Sequence, residues 1–141
     1  MRFLISVFAF LFLVSCTATG PKFSEHNAVL KPEPGKGLVY VYRVSHQFKG
    51  TGGTTPFLID GEQVGELHTG GYIALQVEPG PHQFRTELFN VDQAFELEIV
   101  EGKTYYMKIF QEGFWRLVYY TILVPENQAL SDIQEMRYQG N

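Results

Sequence analysis

One cysteine, Cys16, stands in 141 residues. A lone thiol makes no disulfide within its chain, so the fold must hold by packing. Charge is also scarce, at 18% of residues with a formal net of −4 and no basic block. The electrostatic footprint of phosphate-backbone binding is therefore missing, which argues against nucleic acid as a partner. Beyond the first sixteen residues the serines are Ser24, Ser45 and Ser131, none inside a G-x-S-x-G elbow. Ser45 and His46 adjoin, but neighbours in an extended strand point to opposite faces and make a poor nucleophile–base pair. His26, His46, His68 and His82 follow neither an H-x-x-x-H nor a His–carboxylate spacing. The expectation is no catalytic residue, no metal site and no bound cofactor.

What is present begins with Met1-Arg2 and an apolar run over residues 3–14 in which only Ser6 is polar. One positive charge followed by such a run is the pattern of an export signal. As a helix it would extend about 18 Å, against a hydrocarbon core of roughly 30 Å, and is too short for a good membrane span. The run closes on Leu13-Val14-Ser15-Cys16. An isolated cysteine is more commonly an ordinary buried one. These four residues, however, resemble the lipobox of bacterial lipoproteins at every position. The resemblance implies cleavage between Ser15 and Cys16, a diacylglyceryl group on the Cys16 sulfur, and a new amine open to N-acylation. A thiolate is the natural nucleophile for that thioether, and two or three acyl chains anchor a protein stably where one does not. Thr17 stands where the family's inner-membrane retention signal would place Asp. The expected location is therefore the outer membrane, if the organism has one. Loss of Arg2 takes the formal charge from −4 to −5.

Residues 16–36 carry three prolines, two glycines and no sustained period. They read as a lipidated tether with a root-mean-square reach of roughly 25 Å, although Phe23, Val29 and Leu30 are apolar enough to lie along the domain. From residue 37 to 124, short alternating runs punctuated by glycine predict about eight strands of an antiparallel β-sandwich of immunoglobulin-like type. Residues 38–43 (LVYVYR) are apolar on both faces and predict a central strand. Asp60-Gly61 between two runs predicts a type I′-like hairpin turn. Glu96 and Glu98 alternate with Phe95, Leu97 and Ile99, the pattern of a half-buried strand with a wet face. Pro125 can open a short C-terminal helix over residues 125–138, with Leu130, Ile133 and Met136 on one side, and residues 139–141 remain as a tail.

The order of Gly20-Pro21-Lys22-Phe23, Gly37-Leu38-Val39-Tyr40-Val41-Tyr42-Arg43, Val64-Gly65-Glu66-Leu67, Gly70-Gly71-Tyr72, Glu78-Pro79-Gly80-Pro81-His82 and Glu101-Gly102-Lys103-Thr104-Tyr105-Tyr106 resembles bacterial lipoproteins that carry a small domain of unknown function, similar in appearance to PEGA domains. That resemblance implies an extracytoplasmic β-sandwich and carries over no catalytic residues.

The candidate interaction residues are Phe114, Trp115, Arg116 and Tyr119, an aromatic and arginine set of the kind enriched at binding hot spots, and Lys49 in the glycine-rich loop KGTGGTT. That loop lacks the Walker A order. The expected protein is a non-catalytic, lipid-anchored envelope module that binds an envelope protein. A glycan or peptidoglycan binder is the alternative, and an envelope hydrolase the third.

Overall fold

The computed structural model describes residues 18–26, 30–44, 53–86, 94–112 and 118–140. A single helical turn, α1 (Phe23–His26), precedes β1 (Gly37–Arg43), β2 (Thr55–Ile59), β3 (Glu62–Leu67), β4 (Gly71–Val77), β5 (Gly80–Thr86), β6 (Phe95–Ile99), β7 (Thr104–Glu112) and β8 (Val118–Leu123). Helix α2 (Glu126–Ile133) and the two-residue β9 (Arg137–Tyr138) complete it. Two sheets form, ordered β8-β7-β1-β4-β9 and β3-β2-β5-β6.

The centre is β1, every residue of which is buried. Its alternation sends two sets of side chains to opposite faces. Val39 and Val41 enter the core between the sheets, with Phe57, Leu67, Ile73, Phe84, Ile99, Met107 and Ile109. Leu38, Tyr40 and Tyr42 turn the other way, to Tyr72, Tyr106, Ala129, Ile133 and Met136 under α2. The five-stranded sheet is therefore the middle of three layers. On its helix side Tyr40 and Tyr106 stack at 5.4 Å between ring centroids. Tyr42 Oη donates to Asp132 Oδ2 at 2.9 Å, and Lys108 Nζ donates to the same oxygen at 2.8 Å, which ties α2 to the sheet.

The β2–β3 turn has Asp60 at φ 53° and Gly61 at φ 84°. Both are left-handed, as a type I′ hairpin requires.

Three features differ from the sequence reading. Within the five-stranded sheet β1 runs parallel to β7 and β4 parallel to β9. Helix α2 covers only Glu126–Ile133, with Pro125 as its extended N-cap residue (φ −66°, ψ 151°) rather than its first helical one. The chain then leaves the helix because Arg137 and Tyr138 find backbone partners on both sides. Arg137 N–H donates to Gly70 O at 2.9 Å, and Tyr138 N–H donates to Pro21 O at 2.9 Å. Finally, much of the expected tether lies on the domain. Phe23 packs into the helix-side core, its N–H donates to Met136 O at 2.9 Å, and Leu30 N–H donates to Tyr40 Oη at 3.0 Å.

Candidate functional site

Cys16, with Leu13, Val14 and Ser15, and four candidate interaction residues, Lys49, Phe114, Trp115 and Arg116, lie outside the described residues. The fifth, Tyr119, is in β8 and 6% exposed. Its ring lies 5.3 Å beneath the Arg43 guanidinium and its hydroxyl accepts from Arg43 Nη2 at 3.3 Å, so Tyr119 belongs to the packed interior. Arg43 Nη1 also donates to Gly53 O at 2.8 Å and Leu67 O at 3.1 Å. This buried cluster ties strand ends together. Burial lowers the Arg43 pKa, and Tyr119 partly opposes that shift.

Among the described residues, His82 and Asp60 form the arrangement nearest to an acid–base dyad. His82 Nδ1 lies 2.6 Å from Asp60 Oδ2, and Nε2 lies 2.9 Å from Glu78 O. A carboxylate and a carbonyl both accept, so the imidazolium is the form that satisfies both contacts. Desolvation pulls His82 downward, but hydrogen bonds to Asp60 and Glu78 and the charges of Asp60 and Glu98 outweigh it and raise the pKa. Asp60 is held low, first by the Gln83 N–H and then by His82. With both ring nitrogens engaged, the pair staples two turns together and offers no free base. Glu96 and Glu98 are exposed. Among the described residues no three His, Cys, Asp or Glu side chains gather where they could hold a metal, and no helix is long and apolar enough to cross a membrane.

Among the described residues, a cleft of about 590 Å³ opens between β3 and β4 and is also lined by Tyr138, Gln139 and Gly140. Two strand edges flank it. β3 is the terminal strand of its sheet, and β4 pairs with β9 only over Gly71 and Tyr72, so its edge beyond Tyr72 has no strand partner among the described residues. The register slips between Phe57/Gly65 and Leu58/Gln63, which leaves Val64 as the extra residue of a bulge. Val64 is 38% exposed and lines the cleft. Opposite it, β3 closes tightly on β4: a Cβ on Gly65 would come 2.8 Å from Ile73 Cδ1. The polar lining is Gln63, Glu66 and Gln139. Gln63 Nε2 donates to Glu66 Oε1 at 3.0 Å, while Gln139 Oε1 accepts from the His68 N–H at 2.8 Å.

None of these cleft residues was singled out for binding from the sequence. Glycine inside the short run Gln63–Leu67 was the available signal, since glycine in a strand marks a bulge or a close backbone approach. Tyr138 was hidden in the expected helix.

The family model for "Protein of unknown function (DUF2846)" matches residues 33–113, more than half of the chain. The chain belongs to the DUF2846 family. The match takes in β1 to β7, and thus both walls of the cleft, while α2, β9 and the N-terminal segment of this DUF2846 protein lie outside it. No curated protein and no solved structure matches the chain.

Proposed function

We propose that this DUF2846 protein is a non-catalytic, lipid-anchored module of the cell envelope, which receives an extended segment of a protein partner in the β3–β4 cleft. The anchor reading rests on Leu13-Val14-Ser15-Cys16 after the apolar leader, with the diacylglyceryl group on Cys16 and the outer membrane as the location where one exists. The observation that carries the binding reading is the pair of strand edges facing one cleft. A strand edge offers a row of backbone donors and acceptors to an incoming extended chain, and neighbouring pockets select its side chains. Exposed Val64, with Ile73, Ala74 and Leu75 of β4, supplies apolar contacts beside the polar Gln63, Glu66 and Gln139. The charged Glu62 and Glu66 and the bulge at Val64 are devices that keep such an edge from pairing indiscriminately.

A photo-crosslinker at Val64 in living cells tests this reading beside a Cys16→Ser chain. Repeated capture of one protein, lost without the anchor, supports it; an uncrosslinked Val64 in anchored protein removes it.

The glycan reading has its own support, since Gln63, Glu66 and Gln139 are amide and carboxylate groups of the kind that hold sugar hydroxyls, and Tyr138 adds an aromatic ring. Retention on purified cell-wall sacculi that Gln63→Ala abolishes would favour it instead.

A further inference from the structure

Resting on the lipid-anchor reading above, we infer that the β9 edge of the sandwich, with the cleft beside it, sits against the headgroup layer of the anchor's own membrane. The N-terminal segment carries the inference. It runs antiparallel to the C-terminal one, bridged at Lys22 and Arg137. Phe23 N–H donates to Met136 O and Tyr138 N–H to Pro21 O, each at 2.9 Å. The Arg137 guanidinium closes on the Gly20 carbonyl at 2.9 Å. Gly20 presses so closely on the neighbouring chain that a Cβ there would collide with the Tyr138 carbonyl. Ala18, two residues earlier, is 6% exposed.

Cys16 is two residues from Ala18, and two extended residues reach at most about 7 Å. A lipid on Cys16 therefore has little slack. A free twenty-residue tether would let the domain turn within roughly 25 Å of its anchor; the docked segment withdraws most of that reach. The side is set as well, because Gly20 abuts Tyr138, and Tyr138 and Gly140 also line the cleft. Strand β8 is the opposite edge of the same sheet, four strand spacings or about 19 Å away. At the anchored edge Lys22 is paired with Glu135 and Arg137 holds Gly20. The orientation thus comes from the covalent anchor and the docked chain, and should persist at high salt.

The test uses the lipidated protein in vesicles of phosphatidylethanolamine and phosphatidylglycerol. Its one native thiol is consumed by lipid, so a single introduced cysteine takes the fluorophore, at Gln63→Cys on the cleft rim or Ile122→Cys on exposed β8. A nitroxide on the lipid headgroup should quench the Gln63 label, which shares the cleft with Tyr138 of β9, at least about twofold more than the Ile122 label on the far edge of the five-stranded sheet. A Gly/Ser insertion of about twelve residues between Thr17 and Ala18 should make the two equal. Equal quenching without the insertion, or stronger quenching at Ile122, overturns the inference while leaving the anchor intact. Mass spectrometry of the same sample reads the anchor directly: unmodified Cys16 overturns the anchor reading and the inference together.

Discussion

His82 places both ring nitrogens on acceptors, and the consequence is a pH-dependent contribution to stability. Its pKa is raised above the ordinary 6.5. That contribution is fully present below the unfolded value and is lost as pH rises through the higher folded one. Asp60, held below its ordinary 3.8, works in the opposite sense. It contributes above its unfolded value and loses this as pH falls through the lower folded one. Asp60 is half exposed, so the pair is worth under about 1 kcal/mol. Urea midpoints should fall slightly as pH rises above the ordinary imidazole value of 6.5, and His82→Gln should flatten that slope. A slope that survives the substitution belongs to another group. The sequence placed His82 directly after Glu78-Pro79-Gly80-Pro81; its partner, 22 residues upstream, was beyond any local pattern. Arg43 is similar, legible as a strand end but not as a guanidinium over Tyr119, 76 residues away. Lysine has no planar fork to reach two carbonyls and an aromatic face together. Arg43→Lys should therefore cost about 2 kcal/mol in chemical unfolding, and a loss below about 0.5 kcal/mol would contradict this role.

The elements that could be read from sequence were those whose cause is local. Short apolar or alternating runs located the strands from β1 to β7, and Asp60-Gly61 specified its turn because left-handed backbone is needed at both positions. β9 left no such trace. Two residues have no period, and Arg137 and Tyr138 become a strand only because β4 lies on one side and Pro21 on the other. The apolar Phe23 hinted that part of residues 18–24 lies along the domain, but its pairing with Met136 and Tyr138 had no local signature. Gly65 joins the two cases: its place beside Val64 was visible, and its function as the point where β3 closes on β4 was not. Gly65→Val should push β3 away from Ile73, cost about 1–3 kcal/mol, and reduce crosslinking from Val64 more than the stability loss explains. Full crosslinking in folded Gly65→Val protein would show that β3–β4 closure does not shape the cleft.

At the scale of the molecule, the five-stranded sheet belongs to two cores at once. Its inner face packs on the second sheet, and its outer face, rich in tyrosine, packs on α2. Alternating buried residues announced a sandwich, and the two-faced apolar β1 announced a central strand. The parallel β1–β7 pairing had no local signature, since it depends on where a distant strand returns. The cleft was equally illegible as a unit, being assembled from residues as far apart as Gln63 and Gly140. Shared residues make the layers mechanically dependent. Removing packing under α2 exposes Tyr40, Tyr42, Tyr72 and Tyr106, whose strands also carry Val39, Val41, Ile73 and Met107 into the other core. Ile133 is fully buried there, so Ile133→Ala should cost about 2–5 kcal/mol although it lies outside the sandwich interior. It should also leave one cooperative urea transition, with tyrosine fluorescence and far-ultraviolet circular dichroism falling together. Surface-facing Val64→Ala should stay within about 0.5 kcal/mol of the parent. Were the tyrosine signal of Ile133→Ala to move first, the helix layer would be a separate unfolding unit, and β1 would not couple the two cores.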